Sequence, residues 1–246
     1  MLYSFGDSFT FGLCRDLPAS DSPLTNVRVQ NNFTSLVATH YNIPYKNFGI
    51  PGMCNQEICD ELATNLGNFN KGDMVIIGLS AGDRFMLPVD NVSDIDPFRE
   101  NIKPVMSIYW GLEESIDYRR RVITNGTPNG RNLSRKRQNL MIESIDNFKE
   151  GIYTYHQDHF DAYYLNHVVK VIQSFQNRGI KFVLWDYLWW DLIKKEVNSS
   201  CSCKHWDEKG HTLFSKYLIE AFDNDNPYLL STSSNMNPIW NQYKNV

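Results

Sequence analysis

The chain has 246 residues and a net charge of −4, with 42% hydrophobic, 21% charged and 13% aromatic residues; these proportions suit one packed domain and exclude a disordered, collagen-like or low-complexity chain. The acidic balance supplies no general attraction for a polyanion, which argues against nucleic acid as the partner. No stretch approaches the roughly 18 consecutive apolar residues of a membrane span, and the N-terminus lacks the basic start and apolar run of a signal peptide, so a cytoplasmic location is expected.

Met1 to Phe5 is an apolar run broken by Gly6-Asp7-Ser8, which predicts a strand leading into a tight turn. Asn32 to His40 carries apolar residues at helical spacing, Tyr45 to Phe48 reads as a second strand, and Gln56 to Leu66 as a second helix. Met74 to Leu79 is continuously apolar, as strands buried on both faces are. Residues 85 to 160 break this rhythm, with Pro88, Pro97, Pro104 and Pro128 scattered through polar stretches, and predict an insertion. Tyr163 to Asn177 is an amphipathic helical pattern closed by Arg178-Gly179, and Ile180 to Trp185 follows as another buried strand. A last helix is expected from about Lys209 to Phe222. Residues 223 to 246 are polar and weakly periodic, and read as a C-terminal extension. The expected organisation is thus one domain over 1–222 with an insertion at about 85–160, followed by that extension.

Alternating strands and helices predict an α/β protein with a mostly parallel sheet covered by helices on both faces. In such sheets ligands bind at the carboxyl ends of the strands. The residues expected there are Gly6-Asp7-Ser8, Gly49 to Gly52, Ser80 to Arg84, and Asp186 to Asp191. A serine on a strand-to-helix turn has an exposed hydroxyl with free backbone amides beside it. Ser8 sits in such a turn, although Asp7 and Ser8 are equally the residue types that cap one.

Phe5-Gly6-Asp7-Ser8-Phe9-Thr10 resembles the first block of the SGNH, or GDSL, hydrolases, which carry their nucleophile there. Asn47-Phe48-Gly49-Ile50-Pro51-Gly52 resembles their second block, in which Gly52 falls on the oxyanion-hole glycine. His205-Trp206-Asp207-Glu208-Lys209-Gly210-His211 is similar to their fifth, which makes His205 the base and His211 a helix residue. The resemblance covers roughly residues 1–83 and 163–222. It implies a three-layer α/β/α, flavodoxin-like fold with a five-stranded sheet, and a serine esterase that needs no metal or organic cofactor. Ser8 would attack an ester carbonyl, His205 would remove its proton, and the amides of Ser8 and Gly52 would hold the oxyanion.

Two positions depart from the family pattern. The asparagine of the third block is replaced, in the best register, by Gly82, with Ser80 and Arg84 as neighbouring candidates for the lost oxyanion donor. The acid three residues before the histidine is replaced by Ser202, which leaves a Ser-His dyad or an acid from elsewhere, namely Asp186, Asp191 or Asp83. The substrate class implied is an acetyl-like ester, on a small molecule or a carbohydrate. The alternative is a catalytically weakened relative acting as a binding or structural (virion) module.

Arg119 to Arg137 holds seven basic residues and no acidic one. It reads as a solvated loop or as an anion- or protein-binding stretch, and the insertion and the C-terminal extension are the expected places for a protein partner. Trp189 and Trp190, with Trp185 and Trp206 close in sequence, suit either packing or a platform for sugar rings or acyl chains. The five cysteines, Cys14, Cys54, Cys59, Cys201 and Cys203, are odd in number and irregularly spaced, which predicts reduced thiols. Cys201, Cys203 and His205 lack the further ligand that a zinc site needs. Abundant asparagine and lysine, with a compact insertion-bearing form, resemble virus-encoded (phage) members, for which virion or host cytoplasm is the expected location.

Overall fold

The computed structural model describes residues 1–14, 29–80, 84–88, 105–109, 139, 142–143, 167–187, 189–198, 200–201 and 205–229, with 84–88 and 105–109 described as backbone. The chain divides into two units, one of Met1–Ala81 with Tyr164–Val246 and the other of Gly82–Tyr163.

In the first unit, β1 (Leu2–Phe5), β2 (Tyr45–Asn47), β3 (Met74–Leu79), β6 (Lys181–Asp186) and β7 (Tyr228–Leu229) form one sheet in the order β2-β1-β3-β6-β7. Every pairing is parallel. The register sets Leu2 beside Met74 and Phe5 beside Ile77, while Met74 to Leu79 lie beside Lys181 to Asp186. The chain leaves β1 in one direction along the sheet for β2 and in the other from β3 onward. That reversal at β1/β3 is where open α/β sheets form their ligand crevice.

Side chains alternate across the strands, so each strand contributes to two separate cores. On one face Tyr3, Phe5, Val75, Ile77, Phe182 and Leu184 pack with α3 (Asn55–Asn65) and α4 (residues 167–178) through Ile58, Leu62, Ile172 and Phe175. On the other, Leu2, Met74, Ile76, Val183 and Trp185 pack with α2 (Phe33–His40), α5 (Trp189–Val197) and α6 (Glu208–Asp223) through Phe33, Val37, Ile193, Phe214 and Leu218. Burying each large apolar side chain contributes about 1.5–3 kcal/mol, which is what holds the helices on the sheet. This is the expected three-layer α/β architecture. In the second unit β4 (Arg84–Pro88) and β5 (Val105–Tyr109) pair antiparallel, with Arg84 opposite Tyr109.

The strands and helices read from sequence lie within a few residues of those observed. The fifth strand is Tyr228–Leu229, inside the segment read as an extension; Leu184 N–H donates to Pro227 O at 2.8 Å where that strand joins β6. Trp185 and Trp206 are fully buried core residues. Trp189 stacks near Phe214 and Tyr217 and donates its indole N–H to Leu229 O, so packing accounts for these three tryptophans. No helix among the described residues is long and apolar enough to cross a membrane.

The expectation of reduced thiols is corrected for two of the five cysteines. Cys14 and Cys201, separated by 187 residues, form a disulfide with Cα atoms 5.8 Å apart. Spacing could not show it, because the fold alone brings the turn after β1 beside the segment before α6. Cys54 and Cys59 are buried thiols outside any disulfide, and burial pushes both up to about 12, which makes them inert. Cys203 and the Arg119–Arg137 stretch lie outside the described residues.

Candidate active site

β1 ends at Phe5, and the chain turns at Gly6, whose φ of +156° and surroundings admit no side chain: a Cβ there would lie 2.1 Å from Thr10 Oγ1. Asp7 caps a single helical turn, α1 (Ser8–Phe11), by accepting from the Phe9 amide at 3.0 Å. Gly12, in the left-handed region, closes it by donating to the carbonyls of Ser8 and Phe9. Ser8 therefore opens the turn, and its amide, like the first amides of any helix, has no intrahelical acceptor.

Ser8 is 4% exposed, and its Oγ lies 2.7 Å from His205 Nε2. With the ring proton on Nδ1, the serine hydroxyl donates to Nε2, the arrangement in which an imidazole can take a hydroxyl proton. The two residues are 197 positions apart, and several contacts fix the imidazole. Phe9 lies beside the His205 ring at 4.8 Å between centroids and beside Trp206 at 5.0 Å. The Cys201 amide donates to His205 O at 2.9 Å, closing a short loop. Two residues later Asp207 caps α6 by accepting from the Gly210 amide at 3.0 Å. His211, on the first turns of α6, is fully buried between Phe33 and Trp206, and its Nδ1 accepts from the Phe33 amide that begins α2. Burial first, and the neighbouring His205 second, push its pKa down to about 3, against a smaller opposing effect of Asp207.

The segment after β2 lies along the serine turn. Asn47 donates to Thr10 O at 2.7 Å and accepts from the Gly49 amide at 2.8 Å, and the Ile50 amide donates to Gly6 O. A Cβ on Gly49 would meet Phe11 N at 2.4 Å, so only glycine permits this approach. Gly52 follows in a turn with φ +80° that leads to α3.

The remaining expected residues are placed as follows. Ser80 ends β3, fully buried; Asn55 at the start of α3 accepts from its amide at 2.8 Å and donates to its carbonyl at 3.1 Å. The Ser80 hydroxyl has no partner among the described residues. Asp186 is buried at the carboxyl end of β6, in register with Leu79. Asp191 lies in the first turn of α5 and is ion-paired with Lys195 at the surface. Gly82 and Asp83 lie outside the described residues, as does the side chain of Arg84 on β4. Among the described residues no three His, Cys, Asp or Glu side chains gather as metal ligands, and Cys201 is no thiolate ligand because its sulfur is bonded to Cys14.

Three contributions to the site have no sequence signal that spacing could expose: the ring of Phe9, the bidentate Asn55 and the disulfide. Each depends on a partner supplied by another layer of the fold or another loop.

No protein-family model and no curated protein matches the chain. Among solved structures it is similar to one described as a lipolytic protein of the G-D-S-L family from Desulfitobacterium hafniense DCB-2, at 12% identity, covering 89% of this chain and 97% of that one, with a TM-score of 0.39. It is similar also to a carbohydrate esterase whose active site has divergent catalytic and non-catalytic binding functions (13% identity, 90% and 67% covered, TM-score 0.40). A third is an acetyl xylan esterase from the rumen bacterium Butyrivibrio proteoclasticus (14% identity, 91% and 63% covered, TM-score 0.43).

Proposed function

We propose that the protein is a serine esterase of the SGNH kind, with Ser8 as nucleophile and His205 as general base. The observation that carries this reading is the 2.7 Å contact between Ser8 Oγ and His205 Nε2, on a turn at the carboxyl end of β1 where the sheet order reverses. Ser8 Oγ adds to the ester carbonyl as its proton passes to Nε2. The amides of Ser8 and Gly52 hold the oxyanion of the tetrahedral intermediate, and His205 returns the proton to the departing alcohol. Water then attacks the acyl-serine by the same route and restores Ser8. The substrate class is a short acyl, acetyl-like ester carried on a small molecule or a carbohydrate. Of the acids considered for orienting His205, Asp191 is committed to Lys195, whereas Asp186 is held at a strand end inside the sheet.

A second reading, a binding or structural module that has lost turnover, is favoured by one specific feature: Ser202 and Gly82 stand where the resemblance calls for Asp and Asn. One experiment separates the two. Wild type, Ser8→Ala and His205→Ala are treated with a fluorophosphonate, which forms an Oγ–P bond with loss of fluoride and a proton, and are assayed with p-nitrophenyl acetate. The esterase reading expects a mass gain on Ser8 in the wild type only, and turnover lower by about 10³-fold or more in both variants. Folded wild type that neither labels nor turns over would overturn it and leave the binding module.

A further inference from the structure

The Cys14–Cys201 disulfide joins the segment that follows Ser8 to the segment that precedes His205. The turn that begins with Ser8 runs out through Leu13, whose amide donates back to Ser8 O at 2.9 Å, and Cys14 is the next residue. On the other side the Cys201 amide donates to His205 O at 2.9 Å. Backbone hydrogen bonds thus tie one cysteine's segment to the serine and the other cysteine to the histidine, and the S–S bond joins the two. Cys14 is 3% and Cys201 4% exposed, and they form with Val29 a small buried cluster separate from the two cores that cover the sheet. Breaking the bond removes nothing from either core. It removes the covalent tie between the segment that carries His205 and the segment that carries Ser8, and leaves the Ser8–His205 hydrogen bond and the contacts of Phe9 with His205 and Trp206 to hold them together.

We propose that the Cys14–Cys201 disulfide is a positioning element for His205, holding the histidine loop against the serine turn so that the Ser8–His205 pair is assembled in the oxidised protein. The proposal rests on the reading of Ser8 and His205 as the working pair. A general base must stay within hydrogen-bond reach of the proton it takes, and a displacement of about 1 Å costs on the order of 10²-fold in rate. The bond forms and persists in oxidising surroundings, so assembly of the pair is tied to them. Reduction by a dithiol proceeds by exchange: the S–S bond breaks, Cys14 and Cys201 become thiols, and the reagent becomes a cyclic disulfide.

The test compares oxidised wild type, wild type reduced with dithiothreitol, and the Cys14→Ala/Cys201→Ala double variant, with thiols counted by maleimide mass shift and folding checked by far-UV circular dichroism. The readouts are the rate of fluorophosphonate labelling at Ser8, kcat and KM for p-nitrophenyl acetate, and the imidazole 15N resonances of His205, assigned with His205→Gln. The expected result is a fall of about 10- to 100-fold in labelling rate and kcat with KM nearly unchanged, in folded protein. The His205 resonances move on reduction, reoxidation reverses both effects, and the double variant ignores dithiothreitol. Labelling equally fast with the bond broken, or a loss of rate that only accompanies loss of fold, would overturn the proposal. Failure of the esterase reading looks different: oxidised wild type does not label at all. In that case the His205 resonances still decide, since they shift on reduction if the bond holds the ring and stay in place if it does not.

Discussion

At the scale of single residues, His211 shows how a polar side chain in the core is made useful. Phe33 is the first residue of α2, so its amide is among those that a helix leaves without an acceptor. His211 Nδ1 supplies one at 3.4 Å across the interface between α2 and α6. The contact demands a neutral ring with its proton on Nε2, and burial enforces that neutrality by pulling the pKa to about 3. In the unfolded chain the same imidazole titrates near 6.5. Between these values the unfolded state binds the extra proton, so stability rises with pH through the window, is fully present above about 6.5, and is lost as pH falls toward 3. The slope for one such group is about 1.4 kcal/mol per pH unit. Urea unfolding midpoints at pH 7, 5.5 and 4.5 should therefore drop more steeply for wild type than for His211→Gln, and parallel lines would show that another group governs the acid limb.

At the scale of elements, the sheet and its helices were legible because their hydrophobic periods are long enough to read. The apolar run of β3 and the helical spacing of α2, α3 and α6 each leave a pattern that the fold preserves. In the second unit β4 and β5 were not read as strands, because they fall in the stretch whose prolines and polar residues break the period, and around the sheet two elements were not legible. β7 has two residues, too few for any period, and is a strand because it pairs with the edge of β6. α5 begins in a cluster of aromatics, Trp189 and Trp190, that suits a ligand platform as well as a helix face, and only the contacts with Phe214 and Tyr217 distinguish them. The site shows the same division. Ser8 and His205 stand in short contiguous motifs, whereas the ties that hold them join residues 25, 178 and 187 positions apart, for Asn55 with Ser80, Phe33 with His211 and Cys14 with Cys201. The element scale also has a tight tolerance. Gly78 in β3 lets the Trp185 ring cross the strand, and a Cβ there would sit 2.5 Å from Trp185 Cζ2. Trp185 is fully buried among Phe33, Trp206 and Phe214 and has nowhere to retreat. Gly78→Ala is expected to cost about 2–3 kcal/mol, seen in calorimetry as a melting temperature lower by roughly 5–10 °C; an unchanged melting temperature would mean that the ring moves freely.

At the scale of the whole molecule, the same bond that flanks the site closes most of the chain on itself. Joining residues 187 positions apart removes about 5 kcal/mol of chain entropy from the unfolded state in the loop-closure account. The sheet reinforces that closure from within, because β3 and β6, which come from opposite ends of the intervening sequence, are paired over six residues. The unit Gly82–Tyr163 lies wholly between the two cysteines in sequence. A protease that cuts anywhere in it therefore divides the chain without separating it. One fragment carries Ser8 and the other His205, and a single covalent link holds them as a two-chain protein. On a denaturing gel the nicked material should run at full mass without reductant and fall into two bands with it. Damage in that unit would therefore break the continuity of the chain before its two halves could part, and the cut would be visible only once the Cys14–Cys201 bond was opened.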